Sequence, residues 1–155
     1  DMATVYSTQR TTLTQDDPSG FVQANELAGN VRVAYGTYEA SSLASGDVIE
    51  MFALPNGARI LQGQLAHDAL GGSTTLSVGY AAHTDSSGSA VAASAAAYKA
   101  AAASTSAQIV DIAATLALLN GEEVDANEDG KVVTVTMGGA AGTGTIAVTM
   151  LYVID

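Results

Sequence analysis

The sequence contains no cysteine and no tryptophan, and only two of its 155 residues are proline. Without cysteine there are no disulfide bonds, no thiol catalysis and no zinc sites built from thiolates. Only five lysine and arginine residues stand against 16 aspartate and glutamate residues, which gives a formal net charge of −11. Because an acidic surface repels phosphate, we expect neither nucleic acid nor an anionic membrane as a partner.

Charge of either sign is scarce, whereas small apolar residues are abundant. Charged residues make up 14% of the chain, and the mean hydropathy is +0.24. A domain of this length has room for a sizeable core without a covalent staple. A chain this apolar must cover part of its surface, and we expect the cover to be further copies of the chain or a partner.

Targeting signals are not readable in the sequence. No basic stretch followed by an apolar run opens it, so no signal peptide is expected, and Met2 has the place of a natural start. The nearest approach to a membrane span is residues 90–103, which are too few, include Lys99 and consist mainly of alanine. We therefore expect no membrane-spanning segment.

The first 30 residues differ in composition from the remainder. They are rich in threonine, glutamine and asparagine and show no sustained apolar period. We predict an extended arm over residues 1–30 that becomes ordered by lying on another surface, with a frayed terminus as the alternative. Residues 31–155 are predicted to form one β-sandwich domain.

Alternation of apolar and polar residues dominates the chain after residue 31. In residues 145–154, the period of two places Ile146, Val148, Met150, Tyr152 and Ile154 on one face. Residues 131–137 and 74–83 alternate in the same way, and all three segments are rich in β-branched residues. We predict strands here, with the strand at 145–154 in the centre of a sheet and its second half covered on both sides.

Turn residues separate the predicted strands. Pro55-Asn56-Gly57 and the glycine-rich residues 138–142 are predicted to close antiparallel hairpins, and Gly71-Gly72 and Asn120-Gly121 to end their runs. Seven or eight short strands with frequent turns are typical of an all-β fold, an antiparallel β-sandwich or jelly roll.

Two segments fit this pattern less well. Residues 93–102 are mostly alanine, the best helix former, and are predicted to form one short helix between the sheets. Residues 108–119 allow a strand through Val110, Ile112 and Leu116, but their spacing also allows a helix. The β-branched residues at the start favour the strand, and the helix stays open as the alternative.

Candidate catalytic residues are few. His67 precedes Asp68, and His83 lies near Asp85, but no Gly-x-Ser-x-Gly nucleophile turn occurs. Both histidines stand at predicted strand ends, where a solvated side chain is common. We predict no catalytic residue and no enzymatic activity.

One acidic segment resembles the first half of a calcium loop. Asp125, Asn127 and Asp129 are followed by Gly130, but the twelfth position of such a loop is Thr136 instead of glutamate. An acidic β-turn is the alternative, so these three residues are only a weak candidate for a divalent cation. The glycines at 138–144 lack the following helix of a phosphate-binding loop. We expect no resident cofactor.

Contact residues are a different kind of candidate. Tyr35, Tyr38 and Tyr98 are candidate interface anchors, because tyrosine combines a large apolar ring with a polar tip. The alanines at 95–97 and 100–103 would allow close packing between copies of the chain.

The order of these features resembles the capsid decoration (cement) proteins of tailed phages. The resemblance covers residues 31–155 and includes TTLSVGY at 74–80 and the closing TIAVTMLYVID at 145–155. It implies a non-enzymatic virion protein on the capsid surface, a homotrimer bound across junctions between subunits of the major capsid protein. Two alternatives remain, a tail or head-fibre component of a phage and a calcium-assisted β-sandwich that binds glycans.

Overall fold

The computed structural model describes Ser7, Arg10, Val22 and residues 26–154. The predicted arm over residues 1–30 therefore lies largely outside the described residues. The described part forms ten strands and one short helix, namely β1 (Val31–Leu43), β2 (Val48–Leu54), β3 (Arg59–His67), β4 (Thr75–Tyr80), β5 (His83–Thr84), β6 (Ala90–Val91), β7 (Ser94–Ala103), β8 (Gln108–Ile112), α1 (Leu116–Leu119), β9 (Lys131–Gly138) and β10 (Gly142–Val153).

Eight of the strands form two antiparallel sheets. Sheet A has the order β1-β10-β3-β8 and sheet B the order β2-β9-β4-β7, while β5 and β6 form a small separate hairpin. When the β5–β6 hairpin is left aside, β4 and β7 follow each other along the chain and pair in sheet B. Every other connection between successive strands of the eight crosses from one sheet to the other. This is the connectivity of a jelly roll, and it confirms the predicted fold class.

The two predicted hairpins are wrong. Pro55-Asn56-Gly57 does form a tight turn, with Gly57 at φ = +77° and the Ala58 amide donating to the Pro55 carbonyl at 3.2 Å. The strands on either side, β2 and β3, nevertheless belong to different sheets, as do β9 and β10 around residues 139–141. Turn residues predict a reversal of the chain, but they do not determine whether the next strand pairs with the previous one.

The core lies between the sheets and follows the period of two. Alternate residues of the inner strands β9 and β10 are fully buried, namely Val133, Val135, Met137, Ile146, Val148 and Met150. Leu76 and Val78 of β4 and Leu65 of β3 lie beside them on the same inner sides of the sheets. Each apolar face is covered by the opposite sheet, so the alternation read from the sequence is the alternation of the core.

Strand β10 is central, as predicted, since it pairs with β1 on one side and β3 on the other. The register with β3 shifts between Leu151 and Tyr152. Beyond this bulge Tyr152 is half-buried and Val153 is buried, so the predicted alternation fails at the end of the strand. A bulge places an extra residue in the partner strand and changes which side chains face the core.

The predicted alanine-rich helix at residues 93–102 is a strand instead. It forms most of β7, which pairs with β4 in a register interrupted between Leu76 and Val78 and again between Val78 and Tyr80. Tyr98 is the buried anchor of β7, and its ring lies 6.1 Å from that of Tyr80. Pairing at a sheet edge outweighs the helix propensity of alanine, which is a weak preference in a tertiary context.

Residues 108–119 divide between the two structures that the sequence left open. The first part is the strand β8, which pairs with β3, and the last part is the single-turn helix α1. Thr115 caps the helix by accepting a hydrogen bond from the Leu118 amide. Asn120 and Gly121 end it, with Gly121 at φ = +99°, where the sequence predicts the end of the run.

Candidate interaction surfaces

The two histidines lie at opposite ends of the sandwich, because His67 ends β3 and His83 follows β4. The predicted solvated position is wrong for His67, which is buried with its Nδ1 at 2.7 Å from the Asp68 carbonyl oxygen. His83 is half-buried, and its ring nitrogens contact the main-chain carbonyl groups of Ala81 and Asp125 at 3.2 Å. These contacts hold loops together and supply no base to a nucleophile.

The carboxylates beside the histidines have structural partners of their own. Asp68 Oδ2 accepts a hydrogen bond from the Thr145 amide at 3.0 Å. Asp85 Oδ1 accepts from the Ser87 amide and hydroxyl and from the Ser89 amide, which closes the β5–β6 turn. The hydrogen bond from Ser87, followed by that from Ser89, lowers the pKa of Asp85. Neither His67 with Asp68 nor His83 with Asp85 forms an acid–base pair.

The acidic segment is packed against the β5–β6 hairpin. Asp125 Oδ1 accepts hydrogen bonds from the Ser86 hydroxyl at 2.6 Å and the Ser86 amide at 2.9 Å, and these lower the pKa of Asp125. The Asn127 amide donates to the Thr84 carbonyl at 2.8 Å. The segment therefore closes one end of the sandwich.

The side chains of the three candidate cation ligands are engaged in separate hydrogen bonds. Asn127 Nδ2 donates to Asp129 Oδ2 at 3.1 Å, and the Asp129 amide donates to Asn127 Oδ1 at 3.1 Å, whereas Asp125 is bonded to Ser86. Within residues 26–154 and the three isolated described positions, no group of three or more histidine, aspartate or glutamate side chains is placed to hold a metal. The weak divalent site stays a prediction.

A cavity of about 160 Å³ lies near this end, between β4, β7 and α1. Lys131 enters it with Nζ 4.8 Å from the centre of the Tyr80 ring, and burial lowers the pKa of the Lys131 ammonium. Burial likewise raises the pKa of the Tyr98 hydroxyl. The lining combines the ammonium group of Lys131, two glutamates, Glu122 and Glu123, and two tyrosines at this end of the core.

The glycine-rich segment connects β9 to β10 across the sheets. Gly139 has φ = +76°, and a Cβ atom at this position would collide with the main chain of Ser73. The segment is followed by a strand, so its amides are not arranged at a helix terminus as in phosphate-binding loops.

The outward side of sheet A is a broad surface with little charge. We call this surface the sheet A face. Its residues lie opposite one another on neighbouring strands and so form four rows across the sheet: Val33, Leu151 and Gln62; Tyr35, Thr149, Gln64 and Asp111; Thr37, Ala147, Ala66 and Ile109; Glu39 and Thr145. Tyr35 is 61% exposed and Ile109 is 69% exposed, one at each edge of the face. The row beyond Val33 contains Val31, Val153 and Arg59.

Two hollows give the sheet A face relief along β8. One, of about 410 Å³, lies among Ala66, Ala147 and Ile109 and continues to residues 107–108. The other, of about 210 Å³, lies among Gln62, Gln64 and Asp111 and ends at Leu119 of α1. Leu116 beside it is 84% exposed. The sheet A face therefore combines exposed apolar side chains with two concave regions.

The outward side of sheet B is different. Thr134 and Ser77 are buried although they point away from the core, as the register with Val133 and Val78 shows. A Cβ atom at Gly79, the partner of Thr134, would collide with the main chain of Ser94 and Ala95. Strand β7 therefore passes close over this part of the sheet and covers Thr134 and Ser77.

The contact residues that were proposed from the sequence differ in their exposure to solvent. Tyr35 and Tyr38 are exposed on β1, whereas Tyr98 is buried and belongs to the core. The alanines at 95–96 and 100–103 are exposed along β7. Sequence reasoning did not single out Val33, Ile109 or Leu116 as surface residues. The alternation VRVAY was visible in β1, but alternation alone does not tell which side of a strand meets the core.

No helix in the described part of the chain is long and apolar enough to cross a membrane. A scan against protein-family models gave no match, and neither did a search of curated proteins.

Solved structures from three phage capsids share the fold. A chain in the capsid of Ralstonia phage GP4 matches with a TM-score of 0.62 and 23% identity, over 82% of this chain and 86% of that chain. A chain in the capsid asymmetric unit of cyanophage Pam1 matches with a TM-score of 0.57 and 22% identity, over 92% and 99%. A chain in the acid-stable capsid of Helicobacter pylori bacteriophage KHP30 matches with 0.52 and 16%, over 80% and 87%. At these identities the likeness shows a shared fold.

Proposed function

We propose that this protein is a non-enzymatic structural component of a phage virion, which decorates and stabilises the capsid by binding across junctions between subunits of the major capsid protein. The observation that carries the proposal is the likeness to whole chains of similar length in three phage capsids. The matches cover 86%, 99% and 87% of those chains, so each one spans most of a small capsid chain.

The chemistry of the described residues supports a role through surfaces. The histidines and the carboxylates beside them are engaged in holding loops, and the sheet A face presents exposed apolar groups. A protein that acts by adhesion needs shape and apolar contact area, which this face provides.

The proposed attachment uses several weak contacts at once. Residues 1–30 form the arm of the proposal, which becomes ordered on the shell and reaches a neighbouring subunit. The chains assemble as a homotrimer, so that linked contacts raise the overall affinity without any single strong one. The carboxylates at residues 122–129 face solvent or meet a basic patch of the shell.

The test is restoration of particles that lack the protein. Purified protein is added to such heads, and sedimentation measures bound copies, while heating with a DNA-binding dye measures release of the genome. We expect saturable binding with copy numbers on the order of hundreds per head, set by the symmetry of the shell, and release at a higher temperature. Binding confined to tails, or copy numbers in the dozens, would favour the tail or head-fibre alternative. Protein that stays free in solution would contradict both.

A further inference from the structure

Four of the nine exposed large apolar side chains of the described residues lie on the outward side of sheet A. The nine are Leu27, Val31, Val33, Tyr35, Tyr38, Val48, Ile109, Leu116 and Leu119. By register, Val31, Val33 and Tyr35 point outward from β1, an edge strand of sheet A, and Ile109 points outward from β8 at the opposite edge. Tyr38 is also in β1, but it pairs with the core residue Ile146 and points to the other side of the strand. Of the nine, only Val48 lies in sheet B. Apolar groups gathered on one face of a soluble domain mark an interaction surface.

The same face carries little charge that would repel an identical chain. Of the 13 residues in its four rows, only Glu39 and Asp111 are charged, and each carboxylate accepts a hydrogen bond from a neutral neighbour on the face. Glu39 Oε2 lies 2.6 Å from Thr145 Oγ1, and Asp111 Oδ1 lies 3.4 Å from Gln64 Nε2. Both stand at the border of the face.

We propose that a second copy of this chain covers the sheet A face. Two copies each carry a net charge of −11, so they repel at most orientations. Contact through the carboxylates of residues 122–129 would place like charges opposite each other, which costs several kcal/mol at an interface. Contact through the sheet A face avoids this repulsion and buries apolar groups.

The polar groups of the face suit an identical partner. Gln62 and Gln64 each present an amide that both donates and accepts, and the threonine hydroxyls do the same. No basic side chain stands in the four rows, so the face offers no counter-charge to an acidic partner. A copy of the same face, or another neutral surface of the same chain, satisfies these groups without leaving a charge unpaired.

The size of the face also fits a contact between copies. Seven residues along β1 and four strands across correspond to about 20 by 25 Å. A standard interface buries about 800 Å² on each partner. In projection the four rows cover about 500 Å² on each copy, and the row of Val31 and the hollow that ends at Leu119 extend the face towards the standard area. Tyr35 is the natural anchor because tyrosine is enriched among residues that dominate binding energy.

The experiment compares one valine on each sheet. Val33 is 62% exposed on the outer strand of sheet A, and Val48 is 56% exposed on the outer strand of sheet B. Sedimentation velocity is measured for the unmodified full chain, Val33→Glu and Val48→Glu between about 1 µM and 100 µM, a range that brackets a micromolar Kd. We expect the unmodified chain to associate, Val33→Glu to associate at least tenfold more weakly, and Val48→Glu to match the unmodified chain.

Folding is controlled by circular dichroism, and Ile109→Glu on the opposite edge of the face replaces Val33→Glu if that variant does not fold. Dimers and trimers both support the proposal, since both bury the face. An unmodified chain that stays monomeric overturns it, as does equal weakening by Val33→Glu and Val48→Glu. Association that appears only after removal of residues 1–25 also overturns it, because the face would then be covered by its own N-terminal segment. The contact between copies rests on the homotrimer of the proposed function, whereas the measurement uses no capsid. A monomeric chain would therefore overturn the homotrimer, and binding to the capsid is tested separately by the particle assay.

Discussion

The outward sides of the two sheets contain similar residues but differ in how far the described part of the chain covers them. Both are rich in threonine and other small side chains, and both lie on the far side of one shared core. On sheet B the irregular strand β7 passes over Gly79, and Thr134 is only 2% exposed. On sheet A nothing comparable lies over Val33, Tyr35 and Ile109 among the described residues, and these stay exposed.

The difference shows which parts of the two sheets the described residues cover and which parts they leave exposed. The residues that β7 covers need no partner, whereas exposed apolar side chains on a sheet lose contact with water only when another segment or another molecule packs on them. The two sheets therefore differ in role although they contribute to the core in the same way. This comparison guides the predictions below.

The largest expected effect separates the two sides of one strand. Val148 is fully buried on the inner side of β10, and Val148→Asp places an unpaired charge in the core. We expect a loss of more than about 4 kcal/mol, which prevents folding. Thr149→Asp, one residue further and on the sheet A face, is the control and keeps a cooperative thermal transition. A soluble and cooperatively folded Val148→Asp protein would contradict the assignment of the two faces.

The next prediction concerns the cover over sheet B. Gly79→Ala directs a methyl group at the main chain of Ser94 and Ala95, and we expect a loss of about 1–3 kcal/mol in the free energy of unfolding. Gly72→Ala is the matched control, because nothing lies within 4 Å of a Cβ atom at that glycine. Urea denaturation measures both variants. An unchanged stability of Gly79→Ala would mean that β7 does not lie tightly on this face.

A chain without residues 1–20 tests whether sheet A depends on the predicted arm. We expect its Tm to stay within about 2 °C of the full chain, since the removed residues precede the sandwich. We expect its binding to capsids to weaken clearly in the sedimentation assay. A large fall in Tm would mean that these residues pack on the sandwich as part of the fold.

The smallest expected effect lies at the end of the sandwich, away from both faces. Hydrogen bonds from Ser86 lower the pKa of Asp125 below the ordinary value of 3.8. The contribution of this carboxylate to stability is complete above that ordinary value, and it is lost as the pH falls through the lowered pKa of the folded state. We expect Asp125→Asn to make Tm depend less on pH below 4.

Asp129→Asn is the control for this experiment, because the Asp129 carboxylate bonds only within its own turn to Asn127. Differential scanning fluorimetry from pH 2 to pH 7 compares the two variants with the unmodified protein. Identical pH profiles for the unmodified protein and Asp125→Asn would show that the contact with Ser86 contributes nothing to stability.

The strands and the core were predictable from the sequence because they depend on local periodicity. The alternation around Val133, Val148 and Leu76 identifies buried faces without knowledge of the partner strand. The strand pairing was not predictable in the same way. Turns such as Pro55-Asn56-Gly57 are local, whereas the choice between a hairpin and a crossing to the other sheet depends on the whole jelly roll.

The alanine-rich segment failed for a related reason. Helix propensity describes an isolated segment, but Tyr98 packs against Tyr80 and the main chain of β7 pairs with β4, both of which are distant in sequence. The sheet A face was hidden likewise, since Val33 and Tyr35 alternate as core residues do. Only the position of β1 at the sheet edge, with its outward side uncovered, distinguishes them.

A three-dimensional reconstruction of the phage particle that is proposed to carry this chain tests the account most directly. The account predicts this jelly roll at symmetric positions on the outer surface of the capsid, with the sheet A face of each copy against a neighbouring copy and sheet B without such a contact. A mature capsid surface that lacks the protein would contradict the proposed function.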